Sequence, residues 1–287
     1  VTQLRGQNVA SFFWANNNRI IFTTGGDQLN GITGAIDSIG IYAVNKDGKE
    51  PIQLVKPEDA LTNQKVIRTE VLNLLPFEPE NILVARNDRK RYYLDVYKMN
   101  VYTGKFRRML TPPGPVMGWG VDNDGVVRLA AMQDENSLSY ETQVMYREDE
   151  ESEWTEIDRF EGLQNGWGLM GFTENNEKLY VTSNLGQDTY SVSLFDPQTG
   201  EMEDVFANEG TDVNYLGFTP TGEPVTIIYN DIDTKPQRHY INNKWKNLIE
   251  GFKQAIGVDY VGISSMSEYG EKMILSINSD INPGEYY

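Results

Sequence analysis

The sequence predicts an all-β fold: a β-propeller of four-stranded antiparallel blades, about five and a half of them, in a single domain spanning residues 1–287. Three observations carry this reading. A unit of strand, polar turn, strand, loop, strand, tight turn and strand recurs at intervals of about 45–60 residues. In the clearest copy the third strand, Tyr190 to Phe195, alternates with a period of two, as a half-buried strand does. Glycines recur in the first strands, in Gly118-Trp119, Gly171-Phe172, Gly217-Phe218 and Gly262-Ile263. A glycine weakens a strand, so its recurrence suggests close backbone approach, and four in register fit the crowded innermost strand of a blade.

The copies follow in order. Phe12 to Trp14, Arg19 to Thr23, Ile39 to Val44 and Ile52 to Val55 form the first, with a tip at Asp47-Gly48. Val71 to Leu75, Ile82 to Ala85, Leu94 to Met99 and Phe106 to Leu110 form the second, with a tip at Thr103-Gly104. Val116 to Val121, Val126 to Met132, Thr142 to Tyr146 and Trp154 to Ile157 form the third. The clearest copy is the fourth: Gly168 to Phe172, Leu179 to Thr182, Tyr190 to Phe195 and Met202 to Phe206, with Thr199-Gly200 at its last tip. Glycine suits such tips because it accepts a positive φ at no steric cost. The fifth copy holds Val213 to Phe218, Pro224 to Tyr229 and His239 to Ile241. Lys244 to Ile256 then places Trp245, Leu248, Ile249, Phe252 and Ile256 at helical spacing, with Gly257 beyond the end, and reads as a short amphipathic helix. The sixth copy has Val261 to Ser264 and Met273 to Ile277, and breaks off within its third strand near Tyr286-Tyr287. A blade left open exposes strand edges that invite pairing between chains, so a homo-oligomer built through blade edges is expected.

Composition narrows the function. The chain has 287 residues and a net charge of −17, from 42 acids against 25 bases. Nucleic acid and anionic membranes are repelled by such a field, so neither is expected as a partner. No apolar stretch is long enough to span a bilayer. There is no cysteine, which excludes disulfides, thiolate metal sites and cysteine nucleophiles without fixing the compartment. The one histidine, His239, excludes a metal centre built on several histidines. No Gly-x-Ser-x-Gly elbow accompanies it, and Gly262-Ile263-Ser264-Ser265-Met266 lacks the closing glycine. Asp122-Asn123-Asp124-Gly125 lacks the spacing of a calcium loop and reads as hairpin chemistry. No catalytic residue, metal or cofactor is therefore assigned. A pair of carboxylates working as in a glycosidase stays open, since sequence gives no separations.

Several strings resemble the N-terminal β-propeller of the prolyl oligopeptidase family of serine peptidases, in the bacterial branch related to acylaminoacyl and dipeptidyl peptidases. They are Phe13 to Ile20 with Ile41 to Gly48, Tyr97 to Lys105, Trp119 with Asp122 to Gly125 and Val127-Arg128, Ser183 to Asp188, and the closing Ser279 to Tyr287. The resemblance implies a C-terminal α/β-hydrolase domain beyond residue 287 that holds the catalytic serine, aspartate and histidine; none of these is carried onto this chain. It implies a propeller that caps the hydrolase active site and admits short peptides, with its own hydrolase domain and peptides as partners. Free-standing propellers of the TolB type, which bind protein partners, remain the alternative.

Strand direction alternates within a blade, so the loops between second and third strands share an end with the exit from the fourth. These loops are Gly25 to Asp37, Asn87 to Tyr92, Gln133 to Ser139, Asn184 to Thr189 and Asn230 to Pro236. They are expected to face the hydrolase and its peptide cavity. Arg89, Arg91, Asn184 and Asp188 are the candidate substrate- or interface-facing residues, the arginines as bidentate partners for a carboxylate.

Overall fold

The computed structural model describes residues 8–25, 40–56, 67–90, 93–133, 141–161, 166–233, 236–267, 270–277 and 284–287. The chain forms two compact units, residues 1–162 and 163–287. Each contains three antiparallel blades whose strands follow chain order.

The first unit holds three four-stranded blades: β1 (Asn8–Trp14) to β4 (Ile52–Val55) through β2 (Arg19–Gly25) and β3 (Gly40–Asn45); β5 (Thr69–Asn73), β6 (Asn81–Lys90), β7 (Tyr93–Asn100) and β8 (Phe106–Leu110); then β9 (Val116–Val121), β10 (Val127–Gln133), β11 (Thr142–Tyr146) and β12 (Thr155–Phe160). The run Ile82 to Ala85 is apolar at every position because its blade is covered on both faces. Ile82, Val84 and Met99 pack toward Ile21, Ile41 and Ala43 of the first blade. Leu83 and Val96 pack toward Val127 of the third. Each such buried Ile, Val or Leu contributes about 1.5–3 kcal/mol.

Polar side chains join the same blades. Arg19, 1% exposed, donates from Nε to Val101 O at 3.1 Å and from Nη1 to Asn45 Oδ1 and Glu50 O, both at 2.8 Å. Its guanidinium also lies over the Tyr102 ring. Within the third blade Arg147 donates to Val127 O at 2.7 Å and covers Trp154, while Arg128 donates to the Tyr146 hydroxyl.

The second unit begins with a four-stranded blade, β13 (Trp167–Phe172), β14 (Leu179–Ser183), β15 (Ser191–Phe195) and β16 (Met202–Phe206). Two three-stranded blades follow. The first is β17 (Val213–Phe218), β18 (Pro224–Asn230) and β19 (Pro236–Tyr240); the second is β20 (Gly262–Met266), β21 (Met273–Ile277) and β22 (Glu285–Tyr286). The sixth blade corrects the count of five and a half. The third strand expected near Tyr286-Tyr287 pairs in full register, Tyr287 exchanging both backbone hydrogen bonds with Leu275 at 2.8 and 3.0 Å, so the last copy is a three-stranded blade and not half of one.

Helix α1 (Asn243–Ile256) stands between the fifth and sixth blades, after β19. Asn242 caps its start by accepting from Trp245 N, and Gly257 closes it at φ 79°. Its apolar stripe buries Trp245 and Ile249 and contributes Ile249 to a cluster with Val261, Leu275 and Ile277. Glu223, in the β17–β18 turn, accepts from Asn242 Nδ2, Trp245 Nε1 and Lys244 Nζ at 3.2, 3.0 and 3.0 Å and so fixes the helix start.

The glycine signature proves uneven. A Cβ on Gly171 would stand 2.7 Å from the Phe218 ring of the next blade, so the crowding expected there comes from a side chain and not from the backbone. At Gly118 nothing lies within 4 Å. The tips behave alike: Asp47, Asn100 and Asp196 each accept from backbone N–H groups two or three residues on, and Gly48, Gly104 and Gly200 follow with φ of 81°, 67° and 75°.

Candidate functional site

The end of each blade that carries the second-to-third strand connection is formed from different materials in the two units. In the second blade, β6 and β7 pair from Asn81↔Asn100 to Arg86↔Asp95, and the register then slips to Lys90↔Tyr93. The slip releases Asn87 to bond elsewhere. Its N–H reaches Arg68 O and its Oδ1 accepts from Arg68 N at 2.7 Å, which extends the β5–β6 ladder by one residue.

Arg89 follows. Its Nε and Nη2 donate to the two oxygens of Asp95, both at 2.8 Å. The Asp95 side chain is fully buried, and Arg108 approaches it at 3.8 Å. The bidentate bond to Asp95 raises the Arg89 pKa. Beside this pair, Asp88 accepts from the Tyr97 hydroxyl at 2.8 Å and from Arg86 Nε at 3.2 Å, while Arg86 Nη1 donates to Thr69 at 2.8 Å. Burial, then the bond to Asp88, pushes the Tyr97 hydroxyl up to about 12. Lys90 Nζ sits 3.6 Å from the centre of the Tyr93 ring. This blade end is a fixed ionic network with a positive rim: Arg89 has spent two of its donor groups and keeps Nη1.

In the fourth blade Asn184 repeats the role of Asn87. Its Oδ1 accepts from Gly166 N at 3.1 Å and its N–H reaches Gly166 O at 3.3 Å. Asn184 is 9% exposed. The turn after it places Gly186 at φ 75° and returns Gln187 N to Asn184 O at 3.2 Å, the geometry of a type II turn. Gln187 Nε2 then ties Ser183 O and Ser191 Oγ. Asp188 is exposed at the tip.

Of the four candidate residues, the structure thus places Arg89 in an ion pair, Asn184 in a ladder and Asp188 in solvent. Arg91 lies outside the described residues, as do residues 26–39, 134–140 and 234–235 of the same loop set. His239 is exposed on β19 and stacked on Phe206, 4.5 Å between ring centres. Among the described residues no group of three or more His, Asp or Glu is arranged to hold a metal ion, and no helix is long and apolar enough to cross a membrane.

A cavity of ≈ 300 Å³ opens at the other end of the second and third blades. Leu75, Leu83, Val96, Val127, Arg147 and Glu151 are among the residues that line it. Nothing in the sequence marks it, because its walls are ordinary strand residues; Asp124-Gly125 beside it is a hairpin tip, in which Asp122 Oδ1 accepts from Asp124 N and Val126 N at 3.0 and 2.8 Å.

The described blades define a chain of the β-propeller class. No protein-family profile matches it. All of its length aligns with the dipeptidyl aminopeptidase BIII of Pseudoxanthomonas mexicana, 22% identical over 298 residues, and it spans 39% of that protein. Among solved structures, prolyl oligopeptidase B from Galerina marginata, bound to a 35mer hydrolysis and macrocyclization substrate, matches 98% of this chain and 39% of its own at a TM-score of 0.55 and 10% identity. A prolyl endopeptidase described for its inter-domain dynamics matches 98% of this chain and 50% of its own at a TM-score of 0.50 and 10% identity. The structural likenesses carry the fold. The likeness seen in the sequence strings, to the propeller of prolyl oligopeptidase-type peptidases, therefore stands in the sequence alignment and in the fold alike.

Proposed function

We propose that this chain is a non-catalytic propeller domain of a serine peptidase, capping the active site of a hydrolase domain that lies outside it and restricting entry to short peptides. One observation carries the reading: the whole chain aligns with a dipeptidyl aminopeptidase while spanning 39% of it. An enzyme whose remaining length is the larger part has room for a catalytic domain of about 200 residues or more. In this reading residues 1–287 act as one propeller domain, and peptides and the hydrolase are its partners.

The second-to-third strand loops of the blades are assigned to the hydrolase side, with Arg89, Arg91, Asn184 and Asp188 as the candidate residues. Arg89 would offer a carboxylate its remaining Nη1, and Asn184 would keep the loop of Asp188 in shape. Substituting Arg89 and Arg91 by alanine in the full-length protein is expected to raise KM for short peptides and leave kcat nearly unchanged, the signature of lost uniform binding.

The deciding experiment assays the full-length gene product on short chromogenic peptides, with and without a serine-directed phosphonate. Cleavage abolished by phosphonate, and absent from residues 1–287 alone, is the expected result. No cleavage, or a gene product lacking any further domain, would overturn the reading in favour of a free-standing scaffold.

A further inference from the structure

Four blades end in a fourth strand that pairs with no other strand on its outer side among the described residues: β4, β8, β12 and β16. Such an edge offers a row of N–H and C=O groups to any strand that fits. The four differ in charge. β4 (IQLV) has none. β12 mixes Glu156 and Asp158 with Arg159, and Arg159 already holds Glu156 at 2.6 Å. β8 (FRRML) is purely basic, with Arg107 and Arg108. β16 (MEDVF) is purely acidic, with Glu203 and Asp204.

We propose that β8 of one copy of this chain pairs antiparallel with β16 of a second copy. In the register that sets Arg107 opposite Asp204, Arg108 falls opposite Glu203 and Phe106 opposite Val205. Neighbouring residues of a strand point to opposite faces, so each face receives one ion pair. The like pairings are barred by the same charges: β8 on β8 sets arginine on arginine, and β16 on β16 sets carboxylate on carboxylate. This is the difference between charges that blunt an edge and charges that select its partner.

The local surroundings of β8 favour an acidic neighbour. Phe106 to Met109 are exposed. Arg107 faces Lys98 across its own sheet, and Lys98 is engaged with Glu78 at 2.5 Å. Arg108 reaches Asp95 only at 3.8 Å, where Arg89 already occupies both oxygens. Opposite, Glu203 is exposed beside Leu194 in its own sheet, and Asp204 takes one bond from Ser193 Oγ at 3.3 Å. The register shifts opposite Val96 and Val192 put a bulge at Met109 in β8 and at Val205 in β16, so the shared ladder is short and the contact weak and reversible. It joins different patches of two copies and is heterologous, growing head to tail or closing into a ring.

Sedimentation velocity over a concentration series up to about 1 mM tests this on the whole chain. Four samples are compared: the wild type, R107E/R108E, E203K/D204K, and an equimolar mixture of the two variants. The wild type is expected to associate with rising concentration. Each variant alone places like charge on both edges, and its dissociation constant rises about tenfold or more. The mixture recovers wild-type association, because the acidic β8 of one variant meets the basic β16 of the other. All four residues are exposed, and circular dichroism checks that the fold is kept. A wild type that stays monomeric, variants that associate as it does, or a mixture that fails to recover would each overturn the pairing.

Discussion

The two units solve one problem, joining neighbouring blades, in different ways. The first unit joins full four-stranded blades through interlocked aliphatic clusters and a buried arginine: Arg19 of the first blade reaches the backbone of the second at Val101. The second unit has an aliphatic cluster too, Val192 with Val213, Leu216 and Ile227, and adds an aromatic ring and a helix. Phe218 lies against the backbone at Gly171, and α1 lends Ile249 to the core beside the sixth blade. Its one comparable arginine, Arg238, donates to Val261 O and lies over Tyr260 at 4.2 Å, yet its buried Nε has no partner. A guanidinium in the first unit is a satisfied pin; in the second it is a partial one. The contrast shows that a repeat keeps its strands while changing the chemistry between them.

The largest expected effect breaks the comparison at those arginines. Arg19→Ala leaves Val101 O, Asn45 Oδ1 and Glu50 O without their donor, and is expected to cost about 3–4 kcal/mol in urea unfolding. Arg238→Ala removes a donor that was already unsatisfied along with one bond, so its loss is expected near 1–2 kcal/mol. Equal losses would show that the two pins are equivalent despite their geometry.

Packing at the inner strands gives the next effect. A methyl at Gly171 meets Phe218 ring atoms at 2.7 and 2.9 Å, and Gly171→Ala is expected to destabilise by about 1–3 kcal/mol. Gly118→Ala enters open space and should stay within about 0.5 kcal/mol. Trimming the obstacle in the double variant Gly171→Ala/Phe218→Leu should return part of the loss. Two equal glycine effects would mean that the signature reflects strand ends and not crowding.

This uneven glycine pattern also marks how far the sequence could be read. Strand order, hairpin tips and the helix were legible because each rests on a local rule: alternation, an Asx side chain followed by glycine, apolar residues every three or four positions. Interactions between blades were not. Arg19 reads as the first residue of a strand, while its burial depends on Val101, 82 residues away. Asn184 looked like an exposed loop residue, yet it closes a ladder onto Gly166. The third strand expected near Tyr286-Tyr287 was legible from the order of the repeat alone, since both residues are exposed and carry no alternation. In the candidate site, the charge of Arg89 was legible and its commitment to Asp95 was not, because Asp95 sits on the neighbouring strand at a position set by the register slip.

The repeated asparagine sharpens the comparison between units. Asn87 and Asn184 each accept from the N–H of the residue that precedes a first strand. Alanine at either is expected to cost about 1–2 kcal/mol, since a backbone N–H, part-buried at Arg68 and buried at Gly166, loses its acceptor. Matching losses would make the asparagine a structural element of the repeat. A loss at Asn87 alone would free Asn184 for peptide contact, and peptide KM in the full-length protein would then be the quantity to follow.

The smallest effect separates the units by pH. Tyr97, in the first unit, titrates near 12 when folded because burial and the bond to Asp88 both oppose its ionisation. An unfolded tyrosine titrates near 10. Below pH 10 both states are neutral and the hydrogen bond contributes in full. Between pH 10 and 12 the unfolded chain releases its proton first, the folded state binds more protons, and stability falls as pH rises. Tyr97→Phe gives up the bond to Asp88 at every pH and with it this share of the alkaline slope. The stability gap between wild type and variant should hold constant to about pH 10 and then narrow. Difference absorbance at the phenolate band should show one tyrosine fewer in the late alkaline phase. A gap that stays constant through pH 12 would place the late-titrating tyrosine elsewhere, with Tyr180 of the second unit, also raised by burial, as the next to test.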